Sequence, residues 1–271
     1  MAIRIVQSKQ NARVKELRAA LLRPRRADAA HVALEGMHLL AEALRSGTQI
    51  ETIFVAQGHE NLLQELGIPA TADILTLPRE VLDSAVTTES PQPIAALARL
   101  PLWTWNSLHP SDAPILILAG IQDPGNLGTI LRSAEAFGAG GVVSLPGTVS
   151  PWNPKAMRAS AGSVFRVPVI ESSDKECFQY LHRRRVTTLA AMAHDAQPLG
   201  EIDLTAPVAL VIGSEGSGLA PEIAAQCDAR ITIPCPGPVE SLNAAVAASV
   251  LLYEASRQRS LSPASKTKRQ P

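Results

Sequence analysis

The chain has 271 residues, of which 46% are hydrophobic, and its 25 basic side chains balance 25 acidic ones. This length fits one large domain or two ordinary ones, and the hydrophobic content excludes an intrinsically disordered chain. Three cysteines, without metal-ligand spacing, exclude a disulfide framework and favour a reducing compartment. Because no signal-like segment and no apolar run approaching ~18 residues is visible, we expect a cytoplasmic protein without a membrane partner.

The basic residues are concentrated at the two ends of the chain. Residues 1–30 carry eight cations against Glu16 and Asp28, and the last ten residues carry no acid. For the tail, solubilising charge is as good an explanation as binding. The denser N-terminal cluster predicts contact with a polyanion. Its candidate contacts are Arg13, Lys15, Arg18, Arg23, Arg25 and Arg26.

The N-terminal third alternates strand-like and helix-like patterns, which predicts a small α/β domain over residues 1–100. In chain order we expect a basic helix at 11–22, a strand at 31–35, a helix at 37–45, a strand at 50–56, a short helix at 60–66 and strands at 74–77 and 93–100. Residues 101–113 are proline-rich and without periodicity, and we interpret them as a linker.

A second α/β domain is predicted over residues 114–259. It begins with Ile115–Ala119, an uninterrupted apolar run typical of a strand buried on both faces. A helix at 126–137 and a strand at 142–145 complete a βαβ unit. Further expected elements are helices at 153–160, 177–184 and 242–257, a helix whose first turn contains Pro221 and Glu222, an extended segment at 167–170, and strands at 187–192, 208–212 and 231–234. Residues 260–271 are rich in Ser, Lys and Pro, and we expect them to be disordered.

Three short segments of this domain follow predicted strands and lead into helical patterns. They are Gly125–Arg132, Gly213–Leu219 and Ser241–Asn243. A turn from strand to helix directs backbone N–H groups and polar side chains at one place, and open α/β sheets bind ligands there. Three such turns in one sheet predict one pocket.

Common nucleotide and hydrolase motifs are absent from these segments. Gly120 and Gly125 have the spacing of a phosphate loop but no lysine follows, and neither G-x-G-x-x-G nor G-x-S-x-G occurs. The six histidines are scattered, so we expect no metal site. His194 and Asp195 have no nucleophile that the sequence assigns to them, so we do not expect a catalytic role for this pair.

Each polar residue of the three segments also has a purely structural interpretation. Asn126 and Ser241 are acceptable helix N-caps, Glu215 suits a first helical turn, and Arg132 suits a solvated helix face. These separate explanations do not account for the joint placement of the residues at three strand ends.

The segments resemble the three motifs of the SpoU (TrmH-like) branch of the SPOUT RNA methyltransferases. Asn126–Arg132 is similar to motif 1, Val211–Leu219 to motif 2, and Ile233-Pro234 with Ser241–Asn243 to motif 3. Asn153–Gly162 resembles the family's stretch after motif 1.

The N-terminal third also resembles the substrate-binding domain of that family. The similar segments are Ser8–Lys15, Leu34–Gly36, Glu42–Leu44 and Ser90–Ala96. The resemblance therefore covers nearly the whole chain apart from its tail.

The resemblance implies transfer of a methyl group from S-adenosylmethionine to a ribose 2′-hydroxyl of RNA, with ribosomal RNA favoured over transfer RNA. It implies a Rossmann-like methyltransferase domain with a trefoil knot, a smaller N-terminal α/β RNA-binding domain, and a homodimer. It assigns catalysis to Arg132, Asn126, Glu215 and Asn243, and a further RNA contact to Arg158. It assigns cofactor binding to Gly213, Ser214, Glu215, Gly216, Ile233, Pro234, Leu242 and Asn243.

Two questions stay open at this point. A guanidinium keeps its proton at ordinary pH, so Arg132 is a poor general base and suits a phosphate clamp beside the target ribose better. Asn126 and Glu215 would then orient Arg132. The alternatives to an RNA methyltransferase are a non-catalytic RNA-binding protein on the same fold and, less favoured, a nucleotide-dependent oxidoreductase.

Overall fold

The computed structural model describes residues 3–22, 31–88 and 90–261. Its contacts divide the chain into two compact units. The first comprises Met1–Leu102 with Trp152–Phe165, and the second comprises Trp103–Pro151 with Arg166–Pro271. The domain boundaries expected from the sequence stay a prediction. The sequence did not indicate that Trp152–Phe165, in the segment after motif 1, packs with the N-terminal unit.

A five-stranded mixed sheet forms the first unit. Its elements are β1 (Ile3–Ile5), α1 (Ala12–Leu22), β2 (His31–Glu35), α2 (Met37–Arg45), β3 (Ile50–Ala56), β4 (Asp73–Leu77), α3 (Arg79–Asp83) and β5 (Ile94–Arg99), with a 3₁₀ helix at Glu60–Glu65. The strand order is β1-β4-β3-β5-β2, and β5 runs antiparallel to both of its neighbours.

Helix α1 lies on this sheet through one apolar stripe. Val14, Leu17 and Leu21 recur at helical spacing and are buried, and they share a core cluster with Phe54 of β3 and Leu97 of β5. The basic side chains of α1 occupy the remaining faces of the helix. Packing of the stripe therefore fixes which cations point away from the core.

The second unit contains a seven-stranded sheet in which all neighbouring strands are parallel. The elements after β5 are β6 (Ile115–Ala119), α4 (Pro124–Ala136), β7 (Gly141–Ser144), α5 (Pro154–Ala159, in the first unit), β8 (Val169–Glu171), α6 (Asp174–Arg183), β9 (Thr187–Ala191), β10 (Gln197–Pro198), β11 (Val208–Gly213), α7 (Pro221–Ala224), β12 (Ala229–Thr232) and α8 (Ala244–Leu261), with 3₁₀ turns at Trp105–Ser107, Ser163–Phe165 and Leu199–Glu201. The strand order is β10-β12-β9-β11-β6-β7-β8.

Strands β6 and β11 form the centre of this sheet. Residues 115–118 of β6 are fully buried, which confirms a strand covered on both faces. Ile115 and Ile117 belong to the core cluster that includes Leu181 of α6, and the alternate residues point to the opposite face. Helices α4 and α8 pack against each other, and a hydrogen bond of 2.7 Å joins Ser133 to Ser249.

The predicted elements agree with the structure to within a few residues, with three omissions and two corrected ends. The omitted elements are β1, α3 and β10, each of five residues or fewer. Helix α6 begins at Asp174 because the Ser173 side chain caps it. Helix α8 continues to Leu261, so the disorder expected from residue 260 onward was wrong for residues 260 and 261. The rest of that expectation, residues 262–271, lies outside the described residues. No helix in the described part of the chain is long and apolar enough to cross a membrane.

Candidate active site

The turns of motifs 1 and 2 emerge at the same edge of the second sheet. Strands β6 and β11 run parallel, and their last residues, Ala119 and Gly213, are register partners. After β6 the chain is held by the buried Thr148, whose Oγ1 accepts hydrogen bonds from the N–H of Gly120 and of Ile121 at 3.0 and 3.3 Å. This threonine escaped the sequence analysis because no motif contains it.

The motif 2 turn is closed on itself by backbone contacts. Ser214 and Gly218 exchange two N–H···O hydrogen bonds of 3.0 Å. A Cβ on Gly213 would lie 2.2 Å from the carbonyl carbon of Gly218, and Gly218 has a φ of 65°. The close approach at the first position and the left-handed conformation at the second therefore require glycine.

Three polar side chains from the three motifs meet at this edge. Asn126 Nδ2 donates to Glu215 Oε1, and Asn243 Nδ2 donates to the same oxygen at 2.6 Å. Asn243 Nδ2 also lies 3.2 Å from Asn126 Oδ1. The structure therefore brings together three of the four residues that the sequence assigned to catalysis.

The helix caps differ from the structural interpretation of the sequence. Asp123, not Asn126, caps α4, because its side chain accepts from the Asn126 N–H at 2.8 Å. Asn243, not Ser241, caps α8, because its Oδ1 accepts from the N–H of Ala245 and of Val246 at 2.9 and 3.2 Å. Both N-cap predictions were wrong, and the Asn126 side chain is therefore available to Glu215.

A cavity of about 1030 Å³ opens beside this polar cluster, entirely within the second unit. Its volume is at the upper end of the range for cofactor and small-molecule sites. Every residue that the sequence assigned to cofactor binding lines it, except Asn243, which is hydrogen-bonded to the lining residue Glu215. The lining residues from that prediction are Gly213, Ser214, Glu215, Gly216, Ile233, Pro234 and Leu242.

The loop after β9 contributes lining residues that the sequence analysis left without a role. His194 and Asp195 line the cavity and are exposed, and Asp195 adopts a left-handed φ of 54°. Arg230 and Leu251 complete the wall from β12 and α8. The sequence could have indicated their place in the cavity, because His194 and Asp195 lie just past the carboxyl end of a predicted strand, where open α/β sheets bind ligands.

The lining of this cavity fits S-adenosylmethionine. Ile212, Ile233 and Leu251 supply apolar surface of the kind that packs on an adenine ring. The backbone of the 213–219 turn presents peptide groups, and Asp195 supplies a carboxylate suited to an amine or ribose hydroxyl. Within the described residues no three His, Cys, Asp or Glu side chains are grouped as metal ligands.

Arg132 is separate from the polar cluster. It lies on α4 six residues after Asn126, which is about 9 Å along the helix axis. Its side chain is exposed, does not line the cavity, and makes no hydrogen bond or ion pair with any residue that the structure describes. Asn126 and Glu215 therefore do not hold Arg132 in this structure, contrary to the orienting role expected from the sequence.

The predicted RNA-binding residues divide into engaged and free cations. Arg13 pairs with Glu16 at 2.8 Å, and Arg18 donates to the carbonyl and hydroxyl oxygens of Ser84 at 3.0 and 3.1 Å. Lys15 and Arg158 are exposed and have no partner among the described residues. The predictions for Arg23, Arg25 and Arg26 lie outside the described residues.

Comparison with known proteins agrees with this geometry. The SpoU rRNA methylase family matches residues 113–253, and the MRM3-like substrate-binding domain matches residues 11–96. The chain belongs to the SpoU rRNA methylase family. It is an S-adenosylmethionine-dependent RNA methyltransferase, and the oxidoreductase and non-catalytic alternatives are thereby set aside.

Relatives of this SpoU chain match along almost its whole length. The 23S rRNA (guanosine(2553)-2′-O)-methyltransferase RlmP of Bacillus subtilis is 30% identical over 252 residues, covering 92% of this chain and 97% of the relative. The structure of the SpoU methyltransferase AviRb from Streptomyces viridochromogenes in complex with AdoMet has a TM-score of 0.83 at 27% identity, covering 93% of this chain and 99% of AviRb. An AdoMet-bound rRNA methyltransferase from Sinorhizobium meliloti has a TM-score of 0.79 at 29% identity, covering 94% and 98%.

Proposed function

We propose that this SpoU enzyme methylates a ribose 2′-hydroxyl of ribosomal RNA. The observation that carries the proposal is the hydrogen-bonded cluster of Asn126, Glu215 and Asn243 at the mouth of the cavity. Names of full-length relatives support ribosomal RNA, since RlmP acts on 23S rRNA and the Sinorhizobium meliloti protein is an rRNA methyltransferase. A cytoplasmic location stays a prediction.

The cofactor would be held by the motif 2 turn and the motif 3 segment of the second unit, since no residue of motif 1 is among those lining the cavity. Gly213–Gly216 would offer backbone groups, and Ile233, Pro234 and Leu242 would enclose the adenosine. S-Adenosylmethionine supplies a methyl group already activated on a sulfonium, so the protein needs no covalent nucleophile. What the chain must supply is orientation of the ribose and an acceptor for its proton.

The Asn126–Glu215–Asn243 cluster suits the orienting role. The Glu215 carboxylate is exposed on the cavity side and receives amide hydrogens from both asparagines at one oxygen, Oε1. Its other oxygen, Oε2, has no hydrogen-bond partner among the described residues and is free to accept from a ribose hydroxyl. The cluster therefore fixes an acceptor where the substrate would enter.

Arg132 would bind an RNA phosphate next to the target ribose. Its guanidinium is free of protein partners within the described residues, so a phosphate would meet no competing carboxylate. A planar fork binds a phosphate through two parallel hydrogen bonds, and its positive charge stabilises a developing alkoxide nearby.

We also propose a homodimer and the family's trefoil knot. Support for the dimer comes from α8, where Val246 and Tyr253 lie seven residues apart and are 48% and 55% exposed, while the buried face consists of other residues. Helix α8 thus presents part of its apolar surface to solvent in the single chain. Changing Tyr253→Glu should give a monomer in analytical ultracentrifugation, and an unchanged sedimentation coefficient would refute this interface.

The experiment that tests the substrate is a comparison of 2′-O-methyl positions in RNA from cells with and without the gene. We expect loss of one ribosomal RNA position in the deletion strain and its return on complementation. Loss of a transfer RNA position alone would instead favour the alternative substrate, and an unchanged pattern in both RNAs would contradict the proposal.

A further inference from the structure

A second groove lies in the methyltransferase unit, at the amino-terminal edge of its sheet. It has a volume of about 880 Å³ and is lined by α6, by the start of β9 and by the segment after α7. Thr187 and Thr188 of β9 line it, whereas Ala191, at the other end of the same strand, lines the cofactor cavity. The groove is therefore separated from the catalytic edge by the length of the strand, about 13 Å.

Basic side chains dominate this groove. Lys175, His182, Arg183 and Arg185 line it, with Asp228 as the facing carboxylate. Asp228 is engaged by the protein, because it accepts from the Thr188 N–H and hydroxyl, both at 2.8 Å. Both bonds are accepted by one oxygen, Oδ2, which holds that side of the carboxylate against β9, and no ion pair joins Asp228 to a basic side chain within the described residues.

The groove cations have no protein partners within the described residues. Lys175, Arg183 and Arg185 are exposed and form no ion pair or side-chain hydrogen bond there. Elsewhere in the same unit, Arg166 pairs with Glu135 and Arg257 pairs with Glu254. Free cations gathered in one concave surface, rather than paired ones scattered over the fold, indicate an external anion.

Local geometry keeps these side chains on the groove. Lys175, Gln179 and His182 recur at helical spacing on one face of α6. Helix α6 ends in a Schellman turn, in which the Val186 N–H donates to the Leu181 carbonyl at 3.0 Å.

Arg185 occupies the left-handed position of that turn, with a φ of 55°. Glycine is the residue favoured there, and the left-handed conformation is less favourable for an arginine than a right-handed or extended one. A favourable charge at a helix C-terminus does not require this position, because Arg183 already lies in the last turn of α6. The arginine thus has a cost in backbone conformation without a partner in the described protein.

We propose that this groove binds the phosphate backbone of the RNA substrate at a place remote from the methylated ribose. The inference rests on the proposed function, since it assigns a second contact to the same RNA. Arg183 and Arg185 would each contact a phosphate, and Lys175 would extend the track along α6. Such a contact would position a folded RNA on the enzyme without reading its sequence.

The test is the salt dependence of binding to a short fluorescent RNA duplex, measured by anisotropy in a KCl titration with full-length protein. The test variant is Arg183→Gln with Arg185→Gly, since glycine keeps the left-handed turn. A control pair, Arg166→Gln with Arg257→Gln, removes the same net charge from the same unit at ion-paired positions. A second control, Arg183→Lys, keeps the point charge in the groove.

Loss of two phosphate contacts should reduce the log–log slope of affinity against salt by about 1.8. Both controls should keep the wild-type slope, and binding of S-adenosylmethionine should be unchanged in all variants. An unchanged slope in the test variant, with methyl transfer by the wild type intact, would overturn the groove contact alone. A wild type that neither binds RNA nor transfers methyl would overturn the proposed function and this inference together.

Discussion

Asn243 combines a structural and a chemical role in one side chain. Its Oδ1 caps α8 by accepting from two backbone N–H groups, and its Nδ2 donates to Glu215 and Asn126. Because the two roles use opposite ends of the amide, a substitution can remove one and keep the other.

Asn243→Ser should keep the cap through its hydroxyl but lose both amide hydrogens. We expect kcat to fall by about 10²-fold, because Glu215 is no longer held in position, while the melting temperature stays near that of the wild type. Asn243→Ala should lose activity and also about 1 kcal/mol of stability. Methyl-transfer kinetics and calorimetry measure the two effects, and full activity in the serine variant would exclude a positioning role.

Substitutions of Arg132 distinguish two possible roles of this residue, that of a positive charge that binds phosphate and that of a proton acceptor. Arg132→Ala should lower the rate by at least ~10²-fold, while Arg132→Lys should keep part of it because the charge remains. For a clamp, the pH–rate profile of the lysine variant should match that of the wild type. Activity that rises toward a lysine pKa near ~10.4 would favour a base, and full activity in the alanine variant would refute both roles.

Cys235 provides a chemical probe of the cofactor cavity. It lines the cavity, whereas burial raises the pKa of the Cys177 thiol to about 12 and of the Cys227 thiol to about 11. At pH 8 those two thiols are protonated and unreactive, so iodoacetamide should label Cys235 first. S-Adenosylmethionine should slow that labelling, as followed by mass spectrometry, and Cys235→Ser should abolish the fast phase. Labelling at an equal rate with and without the cofactor would place its site elsewhere.

At the scale of elements, α1 carries cations with different functions. Arg18 links α1 to Ser84 just after α3, while Lys15 on the same helix is exposed and free within the described residues. The sequence could not distinguish the bound Arg18 from the free Lys15, because both are basic residues of the same helix. The contact of Arg18 is with a residue 66 positions away, and a local pattern does not show such a contact.

Lys15→Gln should therefore weaken RNA binding without changing stability. We expect the log–log slope of RNA affinity against salt to fall by about 0.9, with an unchanged melting temperature. Arg18→Gln should instead lower the melting temperature, because the Ser84 oxygens lose their charged donor. Equal effects of the two variants on the salt slope would contradict this division.

The sequence predicts the longer elements of the fold well and the short ones poorly. The bounds of β2, α2 and β3 were predicted correctly, because each is a strongly apolar segment followed within two residues by a glycine. Strand β1 has three exposed residues and, among the described strands, lies at the edge of its sheet and pairs with β4 alone, so its pattern lacked a buried face. Helix α3 has five residues after Pro78, too few for a periodic signal.

At the scale of the whole molecule, strand ends predicted the site better than any single residue did. Parallel strands place their carboxyl ends at one edge, so the meeting of Asn126, Glu215 and Asn243 was foreseeable. The packing of Trp152–Phe165 with the N-terminal unit was not, because it depends on contacts between distant parts of the chain. Arg132 lies away from the cluster because six residues of α4 separate it from Asn126, and six residues do not complete a whole number of helical turns. The order of residues in the motif does not show this difference in direction.

The most direct test of the account is transfer of a labelled methyl group by the purified protein. Wild-type enzyme, S-adenosylmethionine labelled in its methyl group, and ribosomal RNA from the deletion strain are incubated with EDTA, and the RNA is digested to nucleosides. We expect label in a single 2′-O-methylnucleoside, and transfer by Arg132→Ala that is slower by at least ~10²-fold under the same conditions. Label on a base, or no transfer by a folded protein that binds the cofactor, would contradict it.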